Sequence, residues 1–255
     1  MNSWKLQELT LKDVRKKKYQ VAVLPIGSTE AHGLHVPYGS DAFHSTAIAE
    51  RVCENAWARK AQVVLLPTLP YGVQGNTMGF PLTINVEQST LDAMVEDIID
   101  SLEDHGILKL LIINGHGGND FKPLMRSLYR KSGVFVSLAD WWKVGADKVK
   151  EIFENAGEHA DELETSVDIA LFGDLVHLEN AGDGKTRRSR FEAINKGWVS
   201  IARPWHLVTV DSTHGDPRKA SKEKGEAYVR VVVERITDYV VELAKSGMGG
   251  RFPYN

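Results

Sequence analysis

The sequence predicts an α/β protein, folded as a single three-layer α/β/α domain over residues 1–255 around a mostly parallel central sheet. Short apolar runs predict strands, and stretches with helical spacing of apolar residues separate them. The runs are apolar on both faces, which is typical of a parallel sheet covered by helices on both sides. A length of 255 residues suits one large domain of this kind.

Four short apolar segments predict the strands, at 20–27, 62–66, 109–113 and 134–138. The first (QVAVLPIG) ends in glycine, and the second is closed by Pro67. Residues 68–81 are rich in glycine and proline and therefore predict a long loop. A loop of this length inside a compact domain usually has a function.

Helical spacing predicts helices at 42–58, 87–105, 121–131 and 219–245. A further helix is predicted to continue from the Glu-Thr-Ser segment through 166–172. In the second of these helices the predicted inner face is Leu91, Val95, Ile98 and Leu102, and Gly106 ends it. In the last helix the apolar face is Val229, Val232, Val233, Ile236, Val240 and Leu243. The turn at 213–217 is expected to cap this last helix.

Composition excludes several classes of protein. A formal net charge of −3 does not suit a nucleic-acid or anionic-membrane partner, either of which would need a basic surface. No run approaches the ~18 apolar residues of a membrane span, and the N-terminal segment has no apolar core of a signal peptide. The single cysteine, Cys53, excludes an internal disulfide and predicts a buried helical residue. We therefore expect a cytoplasmic protein.

A first group of candidate metal ligands follows the first strand. The segment from Gly27 to His44 contains Glu30, His32 and Asp41, with His35 and His44 beside them. Ligands of open α/β sheets bind beyond the carboxyl ends of the strands, where this segment lies. Carboxylate oxygens and imidazole nitrogens together suit Zn²⁺, Mn²⁺ or Fe²⁺. His35 and His44 are expected to support the ligands.

A second group follows the third strand, where His116 stands between glycines in Asn114–Asp120. Glycines let the backbone approach a ligand closely. A glycine-rich phosphate cradle is the alternative, but the segment has no lysine or arginine and no Gly-Lys-Ser/Thr sequence. The third group is Glu158–Ser166. By itself it is weaker evidence of a metal site, because acidic residues at a helix start commonly interact only with the helix dipole.

Together the three groups resemble the creatininase family of amidohydrolases. The shared pattern is Gly-Ser-x-Glu-x-His-Gly-x-His-x-Pro followed by Asp, then Asn-Gly-His-x-x-Asn, then His-Ala with Glu-Thr-Ser. It runs in order from about Val21 to the Gly215-Asp216-Pro217 turn and the helix after it. The resemblance implies a single α/β/α domain with two divalent metal ions per chain, zinc being expected, with manganese or iron as alternatives. It also implies a homo-oligomer, and hexamers are common in the family.

The resemblance implies a role for each matching residue. Glu30, Asp41 and His116 would hold one metal, and His32 and Asp41 the other, with Asp41 bridging. In creatininase a glutamate two residues after the second-motif histidine completes the second site, and here that position is Gly118. Glu164 is the candidate that replaces it.

His159 matches the family's catalytic histidine, so His159 and Glu164 are the expected catalytic residues. A metal lowers the pKa of bound water from ~15.7 to about 7, which supplies hydroxide at neutral pH. His159 would then protonate the leaving nitrogen. The predicted reaction is hydrolysis of a small amide, cyclic amide or formamide, and creatinine is not expected to be the best substrate.

Two other functions remain open from the sequence. A metal-dependent phosphoesterase also uses paired metals, but the three motif segments contain no lysine or arginine to balance a phosphate. A non-catalytic metal-binding or assembly protein would need no proton donor. Trp141 and Trp142 after the fourth strand either wall a substrate pocket or belong to the core or an interface.

Overall fold

The computed structural model describes residues 3–254 and has a sheet of four parallel strands at its centre. The strands are β1 (Val21–Ile26), β2 (Val63–Leu65), β3 (Lys109–Asn114) and β4 (Phe135–Asp140). Their order is β2-β1-β3-β4, and every neighbouring pair is parallel. The predicted parallel sheet is confirmed, although β2 is shorter than expected and β4 extends to Asp140.

Helices cover both faces of this sheet. The longer ones are α1 (Ser40–Ala58), α2 (Gln88–Asp104), α3 (Lys122–Leu128), α4 (Glu162–Phe172) and α5 (Lys222–Lys245). Short helical turns lie at Leu6–Glu8, Leu11–Val14, Trp141–Val144, Ala146–Lys148, Val149–Ile152, Gly173–Leu175, Leu178–Asn180, Glu192–Asn195 and Trp205–Val208. Each predicted helix is present within a few residues of its expected ends. No helix among the described residues is long and apolar enough to cross a membrane.

Alternate residues of the strands point into two separate apolar clusters, which gives the three layers. Val21 and Val23 of β1 pack with α1, α4 and α5 on one face. Ala22 and Leu24 pack with α2 and α3 on the other. Helix α2 buries Ile99 fully and Ile98 only partly, so the predicted inner face was one residue off at that position. Cys53 is fully buried in the first cluster, as predicted.

The prediction that residues 213–217 cap the last helix was wrong. Helix α5 begins later, and its N-cap is Ser221, whose side chain accepts a hydrogen bond from the Lys224 backbone N–H at 3.3 Å. The predicted turn has another partner instead. His214 donates its backbone N–H to the carbonyl of His159 at 2.9 Å, in an isolated antiparallel bridge.

The sheet order places a crevice at the carboxyl ends of β1 and β3. The chain leaves β1 to form β2 on one side and returns to form β3 on the other, so the connections diverge between these neighbouring strands. Such a switch point is where open α/β sheets bind ligands. The loops after β1 and β3 carry two of the three groups of polar residues singled out in the sequence.

Candidate metal centre

Glycines at the ends of two strands bring the first turn of α1 into the crevice. A Cβ atom on Gly27 would lie 2.3 Å from the Ala42 backbone nitrogen, and one on Gly115 would lie 2.3 Å from the Asp41 backbone oxygen. These distances are too short for any other residue, so glycine is required for the close approach. The approach places Asp41 between the loops that follow β1 and β3.

The structure brings all of the predicted ligands into one cluster. Their donor atoms form groups lying within 4.8 Å of one another, namely Glu30, Asp41 and His116; His32, Asp41 and Glu164; and Glu30, His32 and His159. Glu30, His32 and Asp41 are almost fully buried, with exposed fractions of 0–2%. Buried carboxylates and imidazoles at such distances are a donor set that suits a divalent transition metal.

The Asp41 carboxylate faces two histidines with its two oxygens. Oδ2 lies 3.0 Å from Nδ1 of His116, and Oδ1 lies 3.1 Å from Nε2 of His32. Ser28 Oγ donates a hydrogen bond to Oδ2 at 2.5 Å. Asp41 is therefore the one residue shared by the first two donor groups, and its oxygens point to different sides of the cluster.

Backbone carbonyls orient both histidine rings. The Nε2–H of His116 donates to the Val73 carbonyl at 3.0 Å, which turns Nδ1 toward Glu30 Oε1 at 2.8 Å. The Nδ1–H of His32 donates to the Glu30 carbonyl at 3.1 Å and leaves Nε2 toward Asp41. A carbonyl on one ring nitrogen is the usual support of a metal-ligating histidine, because it fixes the nitrogen that faces the metal.

Charge pairing shifts the pKa values of the carboxylates and histidines in the cluster. Burial by itself would raise the pKa of Glu30, but His116 outweighs burial and lowers that pKa to about 2. Burial would also raise the pKa of Asp41, but His32 and His116 hold that pKa well below its ordinary value. Burial would lower the pKa of either histidine, yet the carboxylates raise both. A divalent cation would replace these protons, since metals bind the neutral imidazole.

Glu164 reaches the cluster from the first turn of α4. Asp161 is the N-cap of this helix, and its Oδ1 accepts a hydrogen bond from the Glu164 backbone N–H at 2.9 Å. Glu164 Oε2 accepts a hydrogen bond from the Ala160 N–H at 2.5 Å, and Oε1 lies 3.8 Å from His32 Nε2. Ala160 itself has a φ of +47°, a left-handed conformation that costs a non-glycine residue about 1–3 kcal/mol.

The loop around Gly118 has no room for a side chain. A Cβ atom there would lie 2.2 Å from the Val73 carbonyl oxygen and 2.4 Å from His116 Nε2. The loop that carries Val73 thus fills the space next to Gly118. From there, the Val73 carbonyl accepts the hydrogen bond of His116. Glu164, the predicted replacement for the missing glutamate, lies beside His32 and Asp41.

His159 lies beside the cluster, and its ring makes tilted contacts with two aromatic rings. Its centroid is 4.3 Å from that of His32 and 5.3 Å from that of Trp205. Its Nε2–H donates to the Ala31 carbonyl at 2.9 Å, and its Nδ1 lies 3.9 Å from Glu164 Oε2. Nδ1 is therefore the nitrogen that is free to exchange a proton.

A cavity of about 520 Å³ opens onto the cluster. Trp141, Trp142 and Trp205 line it together with candidate ligands. Trp141 and Trp142 begin a short helical turn rather than an extended segment, and their rings lie 6.2 Å apart at 88°. Trp141 lines the cavity and also belongs to the buried core, so both roles considered for it apply.

Several residues of the cavity carried no signal in the sequence. Arg203 and Lys143 line it from segments outside the three motifs, so the absence of cations from those motifs does not describe the folded site. Each is paired: Arg203 with Glu158 at 2.7 Å, and Lys143 with Asp140 at 2.7 Å. Only the fold brings these separated segments together, and no local spacing could have indicated it.

The two additional histidines of the first motif lie near the cluster, as predicted. His35 Nε2 lies 2.9 Å from the Thr165 hydroxyl oxygen. His44 Nδ1 lies 4.0 Å from Glu164 Oε1, and its Nε2 hydrogen-bonds Asp168, a residue that the sequence analysis did not single out. Neither histidine belongs to the three donor groups.

Comparison with known proteins decides the family. A family model for creatininase, described as creatinine amidohydrolase, matches residues 7–240. The chain belongs to the creatininase family. The resemblance found in the motifs is thereby confirmed, and so, at the level of the family, is the prediction of a hydrolase acting on C–N bonds.

Relatives in this family have different substrates. The chain is 28% identical to the 3-dehydro-scyllo-inosose hydrolase of Thermotoga maritima, over 97% of this chain and 84% of the relative. It is 30% identical to the creatinine amidohydrolase of Pseudomonas putida, over 87% and 89% of the two chains. It is 26% identical to the mycofactocin precursor peptide peptidase of Mycobacterium ulcerans, over 88% and 84%. Membership of the family therefore does not identify the substrate of this chain.

Solved structures share the fold over nearly its full length. A candidate creatinine amidohydrolase from Bacteroides fragilis has a TM-score of 0.91 and 34% identity, covering 98% of this chain and 100% of that one. A creatininase structure described as the Mn form has a TM-score of 0.80 and 27% identity, covering 95% and 99%. A variant creatininase described as the Zn-Zn type has a TM-score of 0.77 and 27% identity, covering 95% and 98%.

Proposed function

We propose that this protein hydrolyses a small amide, cyclic amide or formamide at a site for two divalent metal ions. Glu30, Asp41 and His116 would hold one ion, and His32, Asp41 and Glu164 the other. The observation that carries the proposal is that two donor groups share Asp41, whose oxygens face different histidines. Zinc is the proposed metal, with manganese or iron as alternatives, in line with the Mn and Zn-Zn creatininases compared above.

The residues beside the metals account for the rest of the reaction. When bound, divalent metals at such a site supply hydroxide at neutral pH and polarise the carbonyl. The C–N bond breaks only if the leaving nitrogen receives a proton, and we assign that proton to Nδ1 of His159. The Nε2–H of His159 is already donated to the Ala31 carbonyl, and the ring lies between those of His32 and Trp205.

The cavity supports a small substrate with a flat apolar part. Its volume of about 520 Å³ lies within the range of roughly 300–1,000 Å³ that is usual for small-molecule sites. Trp141, Trp142 and Trp205 contribute apolar surface to the lining, next to the polar cluster. Because Gly118 replaces a creatininase ligand, the second metal would have different neighbours, and we expect creatinine not to be the best substrate.

A substrate screen with defined metal content tests the proposal. The panel is creatinine, formamides, cyclic ureas, small peptides and a phosphate ester, assayed after chelation and after addition of zinc, manganese or iron(II). We expect metal-dependent hydrolysis of an amide or formamide and none in Asp41→Asn. Creatinine as the best substrate would refute the substrate assignment. A preference for the phosphate ester, or activity that survives chelation, would refute the proposed reaction.

We also propose that the protein is a homo-oligomer, with a hexamer as the expected form. Large apolar side chains are exposed along one segment near the cavity, with exposed fractions of 77% for Trp198, 50% for Val199 and 51% for Ile201. Exposed apolar side chains grouped in this way mark protein contacts. Light scattering at several protein concentrations measures the assembly, and a monomer at every concentration would refute it.

A further inference from the structure

A second pair of polar side chains lies one helical turn beyond the candidate ligands. His44 follows Asp41 by three residues on α1, and Asp168 follows Glu164 by four on α4. Residues at these spacings share one helix face. Both side chains have exposed fractions of 0%, and His44 Nε2 is hydrogen-bonded to Asp168 Oδ1. The two helices thus meet through two layers, with Asp41 and Glu164 in one and His44 and Asp168 in the other.

The remaining nitrogen of His44 faces Glu164. His44 Nδ1 is buried without a hydrogen-bond partner among residues 3–254, and Glu164 Oε1 lies 4.0 Å away. The other oxygen of Glu164 is already bound by the Ala160 N–H. Oε1 is therefore the free oxygen of this carboxylate, and it lies between His32 Nε2 at 3.8 Å and His44 Nδ1.

The His44 ring has little freedom to turn away. Asp168 holds it at one end, and Trp141 contacts it edge to face with centroids 5.0 Å apart. Phe172 lies on a further side at 5.6 Å. A buried histidine–carboxylate pair is weak evidence of a stabilising role, because a well-packed apolar pair in its place is often neutral or more stable. Its placement behind Glu164 points to another role.

We propose that His44, held by Asp168, is a positioning residue that fixes Glu164 Oε1 toward the second metal. The inference rests on the proposed function, since it needs Glu164 to be a ligand. Polar groups beside a metal ligand help to orient it, and mutation of such a group typically lowers metal affinity by about 10–100-fold. His44 Nδ1 is such a group, because it lies 4.0 Å from Oε1, a polar contact rather than a hydrogen bond. Glu164 is carried by α4 and faces His44 of α1, so its orientation depends on both helices.

Zinc titration of the chelator-stripped protein tests the inference, with a chromophoric chelator as competitor. The key variant is His44→Leu/Asp168→Leu, which removes both polar partners and leaves neither unpaired. We expect about 10–100-fold weaker binding of one zinc ion, an unchanged affinity for the other, and an unchanged or higher melting temperature. A merely structural role would instead lower the melting temperature and weaken both sites.

Two further variants separate positioning from other effects. In the Glu164→Gln background the His44→Leu/Asp168→Leu replacement should cause no additional loss of zinc affinity, because the residue to be positioned is no longer a ligand. Cys53→Ala is the control, since it removes another fully buried side chain of α1, one that belongs to the apolar cluster rather than to the candidate ligands. We expect it to leave both zinc affinities unchanged.

The outcomes distinguish this inference from the proposed function. If Glu164→Gln loses one zinc ion but His44→Leu/Asp168→Leu binds two with wild-type affinity, the positioning role is wrong and the two-metal site stands. If the two losses add in the combined variant, His44 acts independently of Glu164 and the inference is again wrong. If the wild-type protein binds no second zinc ion, both the proposed site and this inference fail.

Discussion

Replacing Gly118 with alanine tests how the metal cluster is built, because it adds one methyl group at a point without space. The new Cβ would lie 2.2 Å from the Val73 carbonyl oxygen and 2.4 Å from His116 Nε2. These two atoms are the partners of the hydrogen bond that orients His116. Gly118 does not have a positive φ, so alanine is compatible with its backbone and the effect comes from contact alone.

The magnitude follows from the two contacts. Overpacking costs about 1–3 kcal/mol in a well-packed core. Loss of the bond between His116 and Val73 leaves buried polar groups unpaired, at about 1–3 kcal/mol more. Because Gly118 is on an exposed loop that can shift, we take the lower end of both ranges, or about 2 kcal/mol together. At roughly 2–4 °C per kcal/mol for a chain of this size, the melting temperature should fall by about 4–8 °C.

Metal affinity should also fall, because His116 would lose the hydrogen bond that orients its ring. Loss of a hydrogen-bond partner of a ligating histidine typically lowers affinity by about 10–100-fold. The assay is thermal unfolding of the metal-free protein together with zinc titration. Gly117→Ala is the matched control on the same loop, since a Cβ there meets no atom within 4 Å. It should change stability by no more than about 0.5 kcal/mol.

Equal behaviour of the two variants would refute this reasoning. If Gly118→Ala melts and binds zinc like Gly117→Ala, the Val73 loop yields without disturbing His116. The hydrogen bond between His116 and Val73 would then not determine which nitrogen faces the metal. A destabilised Gly118→Ala that keeps wild-type zinc affinity would confirm the overpacking and refute only the link to metal binding.

Three further predictions concern the candidate site and the apolar core. Asp41→Asn should lose both zinc ions, because both donor groups contain Asp41; elemental analysis that finds two ions would exclude the bridging role. His159→Ala should lower kcat by about 10²–10⁴-fold with little change in KM, and a raised KM with unchanged kcat would make it a binding residue. Cys53 should not react with a disulfide thiol reagent in the folded protein, because burial hides it and raises its pKa; reaction faster than unfolding would contradict this.

The sequence predicts the fold well because the pattern that defines it is local. A strand buried on both faces is apolar at every position, and this is visible in the runs that became β1 and β3. Boundaries are less visible, since they depend on caps and on neighbouring segments. Ser221 caps α5 through its own side chain, while the turn at 213–217 pairs with His159. Both segments contain residues that can cap a helix, and only the packing distinguishes them.

The candidate ligands could be recognised in the sequence for a different reason, which is that chemistry restricts which residue types can hold a metal. Glu30, His32 and Asp41 stand close together in one segment, and His116 lies between glycines. The residues that orient them are of other kinds. Val73 supports His116 through its carbonyl, an atom that every residue possesses, so no side-chain pattern in the sequence could indicate it.

The position of Glu164 shows where local and long-range information combine. Its local role is visible in the sequence, because an acidic residue at a helix start suits the helix dipole whether or not a metal is present. Its orientation depends on contacts from distant segments: His44 from α1, and the backbone of Ala160 held at a φ of +47°. Glu164 is the third carboxylate of this cluster, beside Glu30 and Asp41, and it reaches the cluster because α4 packs against α1. The buried pair of His44 and Asp168 lies at that contact.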